Sequence, residues 1–242
     1  MTPIEIIRQA QAGTLIDEDG QAVTLELLPG LSRTELDDFA HQVPCLIPPE
    51  IEELLGACRG FYGTVEQVDF TGRDLVFEFE AAFPNGLPIA ADGYGNLWVV
   101  DLHPHSVQWG PIYFVCHDAP VILYQADSLE QFLQELFQMF QPPHQSIVDD
   151  VHEDRLAHVW RTNPGVLSHE QCLRSGDPIL SAFARELDDG FRIIDLRRAK
   201  PGDGFSWGRY GPNTLVKRFG THAVFAYKKP KGFIARLFGG MG

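Results

Sequence analysis

Asp101, His103, His105, His117 and Asp118 are the residues of this chain whose types come closest to metal chemistry. Imidazole and carboxylate ligands suit zinc, and all five fall near the ends of apolar runs. The spacing argues against a site. Asp101 belongs to the run Leu97–Leu102, and the two histidines after it are separated by Pro104. They are expected to be polar loop histidines, and no metal or other cofactor is expected. A second stretch, Asp149, Asp150, His152, Glu153, Asp154 and His158, reads as an acidic helix. His152 and His158 are six apart and do not share a helical face, so a solvated surface is expected there. Cys45, Cys58, Cys116 and Cys172 form no CxxC pair. Cys58 and Cys116 lie in apolar faces, where a buried reduced thiol belongs. No GxSxG, P-loop, GxGxxG or HExxH occurs. The chain is not expected to be an enzyme.

The chemistry that remains is charge. The 242 residues carry a net −14, divided unevenly. Residues 191–242 hold eleven Lys and Arg against Asp195 and Asp203, a net of +9, which leaves −23 on residues 1–190. Residues 35–140 hold seventeen acids against Arg59 and Arg73, a net of −15. Such a surface repels nucleic acid and steers basic proteins toward itself. Glu66, Asp69, Asp74, Glu78, Asp92 and Asp101 are the candidate exposed contacts, with Tyr94 and Trp109 as aromatic anchors. The tail Lys228–Phe238 is basic then apolar. It could touch an anionic membrane or nucleic acid, but a terminal helix docked on its own unit is the favoured reading.

The elements that position these residues are legible. Thr2 caps a short opening helix. Leu15–Val23 reads as a hairpin, followed by a loop at Pro29-Gly30. Ser32 and Glu35 form a capping box for a helix to about His41. Pro48-Pro49 open a helix whose apolar face is Ile51, Leu54, Leu55 and Cys58, closed by Gly60. Strands are expected at Thr64–Val68 and Leu75–Phe79 around the turn Phe70-Thr71-Gly72-Arg73. The run 86–102 is a strand, a tight turn at Asp92-Gly93-Tyr94-Gly95-Asn96 needing positive φ at its glycines, and a second strand. Pro111–Cys116 and Val121–Tyr124 add two more. Ser128 then opens a helix striped by Leu129, Phe132, Leu133, Leu136, Phe137 and Phe140. Strands in succession between two helices argue an α+β fold with a mainly antiparallel sheet. Gln141-Pro142-Pro143-His144 is the linker candidate. Beyond it, helices at Ile147–Trp160 and after Asp177-Pro178, and strands at Phe191–Leu196, Leu215–Phe219 and Ala223–Lys228, make a second small α+β unit.

The helix Ile47–Leu55, the turn-and-strand Leu87–Leu102, the strand Gly110–Val115 and the helix Asp127–Phe137, in this order and spacing, resemble the SUKH superfamily, Smi/Knr type, over roughly residues 35–140. The resemblance implies an α+β protein-binding domain without catalysis. In bacteria it implies an immunity protein that neutralises a polymorphic toxin, often a nuclease. Its glycines and tryptophans are fold-makers and carry over no active site.

The expected organisation is an N-terminal helix and hairpin with the SUKH-like domain in 1–140, and a basic α+β region of no recognised family in 141–242. The expected function is a non-enzymatic module that neutralises a basic, nuclease-type toxin. The alternatives are a regulatory scaffold, or an enzyme or effector activity carried by the C-terminal region. No run is long and apolar enough to span a membrane. The N-terminus carries Glu5 where a signal peptide would be positive, so a soluble, cytoplasmic protein is expected.

Overall fold

The computed structural model describes residues 1–104, 106–117, 119–211 and 214–229. The chain opens with α1 (Pro3–Ala12), the hairpin strands β1 (Leu15–Ile16) and β2 (Ala22–Val23), then β3 (Glu26–Pro29), α2 (Arg33–Gln42) and α3 (Pro49–Ala57). Strands β4 (Cys58–Tyr62), β5 (Gln67–Asp69), β6 (Gly86–Ala91), β7 (Leu97–Asp101), β8 (Ile112–Cys116) and β9 (Val121–Ala126) follow, closed by α4 (Leu129–Gln138). Next, α5 (Ile147–Asp150) passes through a π-helical turn at Val151–Arg155 into α6 (Leu156–Thr162). The remainder is β10 (Leu167–Ser168), α7 (His169–Leu173), α8 (Pro178–Arg185), β11 (Phe191–Asp195), β12 (Gly204–Ser206), β13 (Val216–Arg218) and β14 (Val224–Lys228). The fold is α+β and its strand pairs are antiparallel.

The larger sheet runs β12-β9-β8-β7-β6-β5-β4-β3, and the smaller runs β10-β11-β14-β13. Strand alternation sorts their side chains into layers. Trp98, Val100, Phe114, Val121 and Leu123 face the helices, packing with Ile4, Ile7, Leu54, Phe132 and Leu136. Val99, Tyr113, Val115, Ile122 and Phe205 face the other way, against Ile194, Phe225 and Tyr227 of the smaller sheet. Phe191, Ile193, Val224 and Ala226 turn outward to α7 and α8. The order is helices, large sheet, small sheet, helices. Strand β12, from the C-terminal region, completes the large sheet beside β9. Its outer edge is capped by Asn163. The Asn163 Oδ1 accepts from the Ser206 N–H at 2.8 Å, and the amide nitrogen donates to the Ser206 carbonyl and the Tyr227 hydroxyl.

Thr2 caps α1 and the Ser32–Glu35 capping box forms, both as expected, and Glu5 completes a box at Thr2 as well. Other expectations are corrected. Leu75–Phe79 is not a strand. Val68 pairs with Ala90, so β5 and β6 are direct neighbours and residues 70–85 leave the sheet. The alternation there survives as burial only: Phe77 and Phe79 pack into the core between the sheets, while Val76 stays exposed. Gly60 does not end α3. It sits in β4, where a Cβ would lie 2.0 Å from the Val68 carbonyl oxygen. Cys58 is likewise a strand residue. Pro29 ends strand β3 rather than opening the expected loop at Pro29-Gly30, and β10, β12 and α7 have no expected counterpart. The expected tail from Pro230 onward lies outside the described residues. Among the described residues, no helix is long and apolar enough to cross a membrane.

Gln141, Pro142 and Pro143 are exposed between α4 and α5. Protease nicking within 141–146 should therefore leave the two fragments associated on native sizing, held by β12 and the inter-sheet core. Fragments that separate in buffer would contradict this packing.

Candidate partner-binding surface

The turn between β6 and β7 is built around one carboxylate. Asp92 Oδ1 accepts the N–H groups of Tyr94 at 2.9 Å and Asn96 at 3.1 Å, and Oδ2 accepts the Asn96 side-chain amide at 2.5 Å. Gly93 and Gly95 take φ of 81° and 88°, the left-handed region the turn requires. Glu66 packs beside Gly93, and the Asn96 side-chain oxygen accepts from the His117 N–H at 2.8 Å. Tyr94 stands at the tip, 78% exposed. A Cβ at Gly95 meets nothing nearer than 3.8 Å, so Gly95→Val is a test of backbone strain alone. It should destabilise by about 1–3 kcal/mol. An unchanged urea midpoint would show that the turn holds no strain.

The π-helical turn at Val151–Arg155 brings His152 onto this structure. Its Nε2 lies 3.2 Å from Asp92 Oδ2, and its ring stacks on Trp98 and meets Phe114 edge-on. Trp98 donates its indole N–H to Gln125 Oε1 at 3.1 Å, and Gln125 donates to the Ile147 carbonyl. Insertion of a residue into the helical ladder re-aims the side chains of that turn. His152 is thus half-buried against the turn rather than part of a solvated face, whereas the neighbouring Glu153 and Asp154 remain exposed. No spacing rule signals this, because the contact joins residues sixty apart.

The expected contact residues divide by location. Glu66, Asp92 and Tyr94 meet at this turn, although the Asp92 side chain is only 7% exposed and organises it from within. Asp69 is fully buried, contrary to the exposure expected of it. It holds Arg59, and it accepts from the Thr71 N–H and hydroxyl at 2.9 and 2.6 Å. Asp74 is exposed and shares Arg59 at 3.1 Å. Glu78 is exposed on the side of the small sheet. Asp101 is buried, again contrary to expectation: it alternates onto the face covered by the small sheet, where Arg218 grips it. Trp109 is a buried member of the helix-side core and anchors nothing outside.

The Asp101 carboxylate is taken by Arg218, and His103 lies 3.9 Å from it. His105 and Asp118 lie outside the described residues. Among the described residues, no three His, Cys, Asp or Glu converge as metal ligands. The four cysteines are free and buried, and burial pushes the Cys58 thiol up to about 11. Since the thiolate is the nucleophile, Cys58 should resist alkylation in the native protein at pH 8 and react only on unfolding. Rapid native labelling would show an open site.

Helices cover one face of the antiparallel sheet, and the rigid turn holds Tyr94 out beside Glu66. Residues 30–135 match the model of the SMI1 / KNR4 family (SUKH-1), so the chain carries a SUKH domain of Smi/Knr type over that stretch. This class comprises immunity and regulatory domains that are generally not enzymes. No curated protein and no solved structure matches the chain.

Proposed function

We propose that this chain is a cytoplasmic immunity protein of a bacterium. In this reading residues 1–140 bind and neutralise a basic, nuclease-type toxin, and 141–242 form the basic unit docked behind them. The observation that supports the reading is the exposed Tyr94, fixed on the Asp92 turn beside Glu66 in a region carrying a net of −15. A nuclease is basic where it grips phosphates, so an acidic protein surface competes for the same groove. Tyr94 supplies the apolar anchor at low conformational cost, Glu66 and Asp74 supply charge, and Asp69, Asp92 and Asp101 shape the scaffold beneath.

The test is a pull-down from the native host. A basic protein should be retained, and Tyr94→Ala or Glu66→Lys should release it while the fold is unchanged. Retention of acidic partners alone, or indifference to both substitutions, would overturn the reading. Hydrolase activity lost with His152 or His158 would point instead to an enzyme.

A further inference from the structure

We propose that the cleft between residues 78–82 and the edge of β13 docks an extended peptide segment, one carrying Lys or Arg beside apolar side chains. The cleft holds about 370 Å³ and is separate from the Asp92 turn. Its floor is Ile122 and Trp207, its walls are Glu78, Phe79 and Ala82 on one side and Leu215 and Val216 on the other. Arg218 reaches across to the Ala82 carbonyl at 3.3 Å.

Two features suit this occupant. The first is backbone valence. Lys228 donates to the Leu215 carbonyl and Phe219 to that of Val224, so alternate residues of β13 bond to β14. Val216 then turns its N–H and C=O outward, as antiparallel geometry requires. The β13 wall therefore presents the groups an added strand would use. The second is charge. Glu78 on the wall and the neighbouring exposed Glu80 form no ion pair among the described residues, which selects a basic segment. This inference does not depend on the toxin reading, which concerns the other end of the sheet.

The experiment is fluorescence anisotropy on the full chain with a panel of labelled, capped heptapeptides of alternating Val and Lys in varied register. Saturable binding is expected, absent when Glu replaces Lys. Val216→Pro removes only an outward N–H at a sheet edge, where proline is tolerated. Val216→Pro and Glu78→Lys should each weaken binding about tenfold, the scale of one lost charge-assisted or backbone contact. Should Val216→Pro fail to fold, Glu78→Lys carries the test alone. Glu18→Lys, an exposed acid on the β1-β2 hairpin, should bind as the parent does. Three results would each overturn the proposal. These are no saturable binding by any Lys peptide, equal weakening by Glu18→Lys, and a dimer abolished by Glu78→Lys, which would assign the cleft to a second copy.

Discussion

Arg218→Met is expected to destabilise the protein by about 3–5 kcal/mol, the range for breaking one side of a buried ion pair. The pair is bidentate: Arg218 Nη1 and Nη2 donate to the two Asp101 oxygens at 2.7 and 2.6 Å, with side chains 4% and 2% exposed. The guanidinium also serves the carbonyls of Ala82, Thr221 and His222, and lies over the rings of Phe83 and Phe225. Without it a carboxylate is left inside the inter-sheet layer with no counter-charge. The cost of the lesion is the stranded charge more than the lost attraction. Asp101→Leu combined with Arg218→Met should therefore recover much of the loss, because neither charge is then buried alone. Urea denaturation of the two single variants and the double variant measures this. A loss below about 1 kcal/mol for Arg218→Met, as for an exposed pair, would show that the small sheet does not cover Asp101 as described.

Asp92→Ala is expected to destabilise by about 2–3 kcal/mol, since it removes the shared acceptor of three hydrogen bonds, the two from Asn96 part-buried. The N–H groups of Tyr94 and Asn96 and the Asn96 amide lose their shared acceptor, and His152 loses its neighbour. The loss should be local. Hydrogen exchange at Tyr94 and Asn96 should accelerate more than at Phe114 in the sheet core. Partner binding should fall with it, because Tyr94 is no longer held out. Glu66→Ala, at an exposed position, should leave stability within about 0.5 kcal/mol of the parent. Uniform acceleration of exchange across β8 would mean that Asp92 supports the sheet rather than the turn.

Local rules reached much of this structure. Capping residues placed the ends of α1, α2 and α4, and glycine chemistry placed the turn at 92–96, because those signals act within a few residues. Alternation in Leu75–Phe79 correctly marked which side chains are buried and wrongly implied a paired strand. A period of two reports facing, not hydrogen-bonding partners, and β6 already occupied the edge of β5. Gly60 read as a helix stop because glycine serves both there and where strands approach too closely for a Cβ. The stacking of the small sheet on the large one had no local signal, since Asp101 and Arg218 lie 117 residues apart. That contact also shows why acid counts do not report exposure. Composition cannot distinguish Asp69 or Asp101, buried against arginines, from Glu66 and Asp74 in water.

In the proposed function an acidic, Tyr94-tipped surface captures a basic protein. The most direct test is the association rate of the partner retained from the native host, measured against ionic strength by stopped-flow fluorescence. Attraction between opposite surfaces is screened beyond about 8 Å at physiological salt, and it acts on encounter more than on dissociation. The rate should fall steeply as salt rises, and Glu66→Lys with Asp74→Lys should lower it at low salt while the protein stays folded. An association rate indifferent to both salt and these charge reversals would contradict the account.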